Sequence, residues 1–345
     1  MMGNNIVSEK TIGDSISLEI LISKTRLPPL PAHITKLMEM ARQPMDNIEI
    51  GDFAKLVETD PGLFASVLKL ANSPYYGGVD KIITLRTAIT RIGLSETINS
   101  VCLFCLKKIL PQLPSIDFFS AKDYWAYSWA CAVANRRLGH PNLALGINAG
   151  ELYLAGLLHG MGKLLLAIHY PDEFLKCLKL TQKFNQPLYK AELEILGTTD
   201  AFIASKIMET WNLPVNICAG VAFYQRPESA PREYRVIAGL TQMAYSIAAL
   251  SGIGSSGENT LPDLCSLYIC QQPNLSISKE TVRGKLIEEI LNSLAEKSES
   301  VTGVPASKSN TVQISRKPPN HGSPAKKVST QESGVFARIM SFFAR

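Results

Sequence analysis

Gly156-Leu157-Leu158-His159-Gly160-Met161-Gly162-Lys163-Leu164 is the stretch on which the fold turns. It lies in the longest apolar run of the chain, Leu152 to Ile168, which contains His159 and Lys163. Its length predicts a buried helix over Glu151–His169 and not a strand. It also falls short of the roughly 20 residues a bilayer span needs. A phosphate-binding loop is excluded: five residues separate Gly156 from Gly162 where that motif has four. Leu164 stands where the motif needs a magnesium-binding hydroxyl.

Outward from this run, helical periodicity dominates on both sides. Asp60 is placed to cap a helix with Pro61 at its first position, and Leu63, Phe64, Val67, Leu68 and Ala71 fall on one face of a 3.6-residue period. The stop is Asn72-Ser73-Pro74, followed by Gly77-Gly78. Another helix is predicted from Thr84 to Gly93 with Leu85, Ala88, Ile89 and Ile92 aligned, and Ser95 begins a further one reaching Lys107-Lys108. After a break at Pro111 to Ser115 come predicted helices over Tyr124–Leu138, Glu151–His169, Pro187–Leu196, Ala201–Trp211, Pro214–Tyr224 and Glu233–Leu250. Ser251 to Thr260 is rich in Gly and Ser and reads as a loop. A last core helix is predicted from Ser278 to about Ala295, with Val282, Leu286, Ile290 and Leu294 on one face. Short helices joined by tight turns predict an all-α helical bundle.

The net charge of +5 over 345 residues suggests nucleic acid until it is located. From Glu296 onward there are eight Lys/Arg against three acids, which leaves 27 of each in positions 1–295. A neutral body lacks the concentrated basic surface of non-specific DNA binding, so a helix-turn-helix between Ile48 and Ser73 is disfavoured. The seven cysteines are odd in number and mostly lie in apolar stretches such as Val101-Cys102-Leu103-Phe104-Cys105-Leu106. That usage predicts reduced, buried thiols in a cytoplasmic protein and no redox pair. Polar residues from Met1 to Thr11, with Glu9 and Lys10 where an apolar core should lie, argue against a secretory signal.

The central stretch resembles the GLLHDxGKL signature of the HD phosphohydrolase superfamily. Leu27-Pro28-Pro29-Leu30-Pro31, Asp60-Pro61, Leu70-Ala71-Asn72-Ser73-Pro74-Tyr75-Tyr76-Gly77, Glu192-Leu193-Glu194-Ile195-Leu196-Gly197 and Trp211-Asn212-Leu213-Pro214 narrow the resemblance to the HDOD domain, the HD-related output domain of bacterial signalling proteins. It covers about residues 20–250. It implies an N-terminal bundle over 20–112 and an HD-like bundle over 113–250, preceded by an extension, 1–19, and followed by a loop and helix over 251–297.

HD catalysis needs a divalent cation on imidazoles and carboxylates, so that bound water ionises near neutral pH and attacks a phosphoester. By the resemblance, the first histidine position is Tyr127, the His-Asp pair is His159-Gly160, a further histidine position is Asp200, the double histidine is Tyr224-Gln225, and a late aspartate position is Tyr245. With Lys163, these residues outline a degenerate pocket. One imidazole and one carboxylate are too few for a catalytic metal that prefers several protein ligands. The expectation is therefore no cofactor, no metal and no catalytic residue, and for His159 a core role hydrogen-bonded at the old site. Of the aromatic residues Tyr124, Trp125, Tyr127 and Trp129, most are expected in the core.

Residues 298–333 shift to Ser, Thr, Pro, Lys and Gly, and are expected to form a disordered basic linker. In residues 334–345, Val335, Phe336, Ile339, Met340 and Phe343 repeat at helical spacing. That face is expected to meet a partner, a membrane surface or its own domain, with Lys326, Lys327, Arg338 and Arg345 adding positive charge. The sequence thus predicts a non-catalytic bacterial signalling module whose partners are other regulatory proteins. A residual phosphohydrolase and a nucleic-acid binder stand as alternatives.

Overall fold

The computed structural model describes residues 29–307, except 79, 140–142, 144, 259, 261 and 262. The N-terminal extension, the linker beyond 307 and the face Val335, Phe336, Ile339, Met340 and Phe343 lie outside the described residues. Among the described residues there are helices and short 3₁₀ turns, with one isolated bridge between Ile116 and Phe119 and no strands. The protein is all-α.

Five helices form the first part: α1 (Ala32–Arg42), α2 (Ile50–Glu58), α3 (Pro61–Ala71), α4 (Leu85–Ile92) and α5 (Leu94–Ile109). The caps are those the sequence calls for. Asp60 accepts from the Gly62 and Leu63 amides at 2.9 and 3.3 Å, and Thr84 accepts from the Thr87 amide at 3.2 Å. Asp60 does more than cap: Lys108 Nζ at the end of α5 reaches its Oδ2 at 2.6 Å, tying α3 to α5. That ammonium is the main reason the Asp60 carboxyl sits below its ordinary pKa. Asn72 closes the following loop, donating to Leu68 and Ile82 carbonyls and accepting from the Ile82 amide. Gly93, at φ 91°, makes the 111° corner between α4 and α5.

The central part is built on α6 (Ala121–Leu138). Its weak amphipathicity has a simple cause, because it is buried almost all round from Tyr124 to Asn135. α7 (Ala149–Leu158) packs beside it, close enough that a Cβ on Gly156 would lie 2.7 Å from Ala132 Cα. Around them stand α8 (Met161–His169), α9 (Pro171–Phe184), α10 (Leu188–Leu196), α11 (Asp200–Thr210), α12 (Val215–Ala222) and α13 (Arg235–Ser251). Leu152, Leu154, Leu165 and Leu166 are fully buried, each stabilising the fold by roughly 1.5–3 kcal/mol. One polar staple crosses this core: Asn135 Nδ2 donates to the Leu152 carbonyl at 2.8 Å and to Thr241 Oγ1 at 3.0 Å, joining α6, α7 and α13.

Three expectations change. The helix expected over Glu151–His169 is interrupted by a turn at His159 and Gly160, where two glycines within three residues weaken helical propensity. Taken together, Ala149–His169 spans 21 residues and is long and apolar enough to cross a membrane, contrary to the estimate from the run alone. However, the most apolar part of it is 89% buried inside the protein, as a core helix is. Finally, α14 (Glu280–Thr302) runs past the expected end and into the stretch expected to be disordered. Composition there is polar, but Ser298 and Val301 are buried, and tertiary packing extends the helix. Its buried face is Ile287, Ile290, Leu294 and Val301, so the expected positions Val282 and Leu286 are only partly covered.

Candidate functional site

The turn between α7 and α8 places His159 in the buried interior, 1% exposed. Its Nδ1 lies 2.6 Å from the Gly156 carbonyl, and since a carbonyl only accepts, Nδ1 carries the proton. Three phenol rings surround the imidazole: Tyr224 at 5.3 Å, Tyr245 at 5.4 Å and Tyr127 at 6.2 Å between ring centroids. They also pack on one another, Tyr127 on Tyr245 at 5.3 Å and Tyr224 on Tyr245 at 5.4 Å. Such tilted and edge-on contacts are the favoured aromatic geometries. Tyr127 comes from α6, Tyr245 from α13, and Tyr224 follows α12, so four segments meet at one imidazole.

Burial is the main reason the His159 pKa falls, to about 3, and the nearby Lys163 charge adds to it. The imidazole is neutral throughout the physiological range. Lys163, on the first turn of α8, is itself fully buried and holds the site's positive charge. Its Nζ lies 3.5 Å from Glu258 Oε1, donates to the Ser256 carbonyl at 3.3 Å and sits 5.4 Å from the Tyr245 ring centre. Burial alone would strip the proton, but the carboxylates of Asp200, Glu258 and Glu192 outweigh it and raise the Lys163 pKa. Tyr245 closes the ring of contacts by donating to Glu258 Oε1 at 2.6 Å.

On the other side, Asp200 opens α11. Its amide donates to Glu192 Oε2 at 3.0 Å, so Glu192 on α10 serves the first turn of α11 together with the Thr199 cap. Its carboxylate Oδ1 accepts from Gln225 Nε2 at 3.0 Å, and the same amide group donates to the Tyr224 hydroxyl at 3.3 Å. Both acids are fully buried. Burial first, and then the charge of Asp200, drive the Glu192 pKa well above its ordinary value. Burial raises the Asp200 pKa as well, opposed by Lys163. The backbone of Asp200 lies directly against Gly162, where a Cβ would run into the Asp200 carbonyl. This contact fixes α8 on α11 and explains the glycine.

Tyr127, His159, Gly160, Lys163, Asp200, Tyr224, Gln225 and Tyr245 are therefore brought together. The residues that reading for metal ligands missed are Glu192, Glu258 and Ser256. Glu192 lay within a quoted motif but without a role, and Glu258 lay in a Gly/Ser stretch that offered no signal except its charge. Gly160 stands where the HD signature has aspartate. A Cβ there would lie 3.1 Å from Tyr124 Cε2, so Tyr124 would have to give way.

The donor set does not fit the divalent metal that an HD scaffold implies. Among the described residues, no group of three His, Cys, Asp or Glu side chains is placed to hold a metal ion. Glu258 is paired with the Lys163 ammonium, Asp200 Oδ1 accepts from Gln225 and Glu192 Oε2 from the Asp200 amide, which leaves, of their oxygens, only Asp200 Oδ2 and Glu192 Oε1 buried without a hydrogen-bond partner. The remaining neighbours of the imidazole are phenols raised by burial well above their ordinary pKa. A phenol that keeps its proton is a poor metal ligand.

The family model described as HDOD domain matches residues 27–227. Among solved structures, the chain resembles an HDOD domain protein of unknown function from Geobacter sulfurreducens, 21% identical, covering 81% of this chain and 96% of that one, with a TM-score of 0.65. A protein of Shewanella amazonensis SB2B provisionally called a phosphohydrolase is 23% identical over 84% of this chain and 98% of that one, with a TM-score of 0.62. A protein of Marinobacter aquaeolei VT8 provisionally called a signal transduction protein is 23% identical over 83% of this chain and 59% of that one, with a TM-score of 0.64. These likenesses establish the fold. An uncharacterized protein of Treponema pallidum (strain Nichols) is 23% identical over 215 residues, which is 61% of this chain and 39% of that relative. The chain thus spans about two-fifths of that relative's length.

Proposed function

The chain belongs to the HDOD domain family, and from that premise we propose that it is a signal-transduction module that works by binding other regulatory proteins and not by hydrolysing phosphoesters. The names borne by the Marinobacter and Shewanella proteins mark the two readings between which the site has to decide. The observation that carries the choice is the enclosure of His159 by Tyr127, Tyr224 and Tyr245. An HD hydrolase needs a metal-bound water with access to substrate. Here the imidazole of His159 is buried among aromatic rings, and Lys163 occupies Glu258, a carboxylate that a cation would need. The centre acts as a polar core that fixes the relative positions of α6, α8, α11 and α13, and so the shape of the surface presented to partners.

Two measurements test this on the full chain. Protein equilibrated with Mn²⁺ or Mg²⁺ and then desalted is expected to retain well under one metal ion per chain. It is also expected to show no hydrolysis of bis(p-nitrophenyl) phosphate that depends on His159. Stoichiometric retained metal, or turnover abolished by His159→Ala, overturns the reading. Affinity capture with the full chain beside a version ending at residue 307 then assigns the binding surface. A regulatory protein retained by both versions places it on the folded body, whereas loss on truncation places it on the tail.

A further inference from the structure

A half-open cavity of about 310 Å³ lies where α5, α6, α7 and α14 meet, about two and a half turns along α6 from Tyr127. Arg136, Arg137 and Lys297 bring three cations to its wall, and Glu96 brings the one carboxylate. The lining is held in place from behind. Arg136 Nη1 donates to Asn99 Oδ1 at 2.8 Å, Asn99 is 4% exposed, and the Asn99 carbonyl in turn accepts from the buried Tyr153 hydroxyl at 2.7 Å.

The charges do not balance. Glu96 is engaged by Lys297 at 3.4 Å, and Arg137 makes no ion pair among the described residues. Burial works against the charge on Arg136 and lowers its pKa, with Glu96 opposing that shift and Arg137 adding to it. Ser95 and Glu96 belong to the first turn of α5, which begins at Gly93 without a side-chain cap, so unpaired backbone N–H groups and the positive end of the helix add to the same field. Both arginines lie in the last turn of α6, where the helix dipole favours cations. That accounts for their sign. It does not account for a third cation arriving from α14, because docking α14 needs one partner for Glu96 and not a surplus of two charges.

We propose that this cavity is a binding site for a phosphate dianion, free or as the terminal group of a small nucleotide, held by Arg136, Arg137 and Lys297. Guanidinium groups suit the oxygens of a phosphate, and a volume of this size is at the lower end of small-ligand pockets. A dianion offsets the two unmatched charges. Because the site takes residues from α5, α6 and α14, its occupancy tightens the seat of the last helix on α5 and α6.

The test uses the full chain and two probes, inorganic phosphate and adenosine 5′-monophosphate, in thermal melts at constant ionic strength. A ligand that binds only the folded state raises Tm in a saturable way. The expected result is such a rise for one or both probes, with saturation by phosphate assigning the free anion and tighter saturation by the monophosphate assigning the nucleotide. Arg137→Gln, an exposed position, is expected to weaken the apparent affinity at least about 10-fold, as loss of a charged hydrogen-bonding group does. Lys36→Gln, an exposed position that removes the same charge from α1, is expected to leave it unchanged. No saturable rise with either probe overturns the site, as does unaltered affinity in Arg137→Gln or an equal loss in Lys36→Gln.

Discussion

His159 shows what one residue can record of a scaffold's chemistry. It holds the proton on Nδ1 toward Gly156 at the α7–α8 turn, and the groups around it are aromatic. In the unfolded chain a histidine takes up a proton near pH 6.5, whereas His159 in the folded chain does so only at about 3. The unfolded state therefore binds more protons between those values, and folding stability falls as pH drops through this window. The slope from this group approaches about 1.4 kcal/mol per pH unit. Nitrogen NMR of the imidazole is expected to show the neutral Nδ1–H form unchanged from pH 8 to 4.5, and a titration near pH 6 would show the cage to be open to water. Tyr127, Gly160 and Tyr245 could be placed at one site from the sequence because the family resemblance assigns each to a motif position. Glu192 and Glu258 could not, because their role comes from contact with Asp200 and Lys163, distant in sequence, and a carboxylate in a helix or a Gly/Ser loop is ordinarily a solvated one.

Among elements, Asp60 and Thr84 could be placed as caps from local chemistry alone, since a cap needs only its own first turn. Helix lengths depend on more. The run from Leu152 to Ile168 offered no proline or polar cluster to mark its interruption, and α14 continues through Ser298 because neighbouring helices cover it. Gly162 is the joint on which two elements close, with no room for a side chain between α8 and the Asp200 carbonyl. Gly162→Ala gains helical propensity but forces backbone apart. The expected net outcome is destabilisation of about 1–3 kcal/mol in urea denaturation. An unchanged or raised midpoint would mean that α8 and α11 can separate freely.

For the whole molecule, the all-helical architecture followed from periodicity, while the last helix's part in the core did not. Ile287, Ile290, Leu294 and Val301 bury themselves against the central bundle, and removing them forfeits roughly 6–12 kcal/mol, comparable to the entire stability of a typical domain. A chain ending at residue 279 is thus expected to lose its cooperative melt and bind a hydrophobic dye, whereas a chain ending at 307 melts as the full protein does. Cooperative melting of the shorter chain would show α14 to be an accessory. The packing of α14 on α6 also governs how the protein is made. On the ribosome, the central helix emerges long before the segment that covers it, so the growing polypeptide must carry an unfinished apolar surface until nearly all of the folded body has left the exit tunnel.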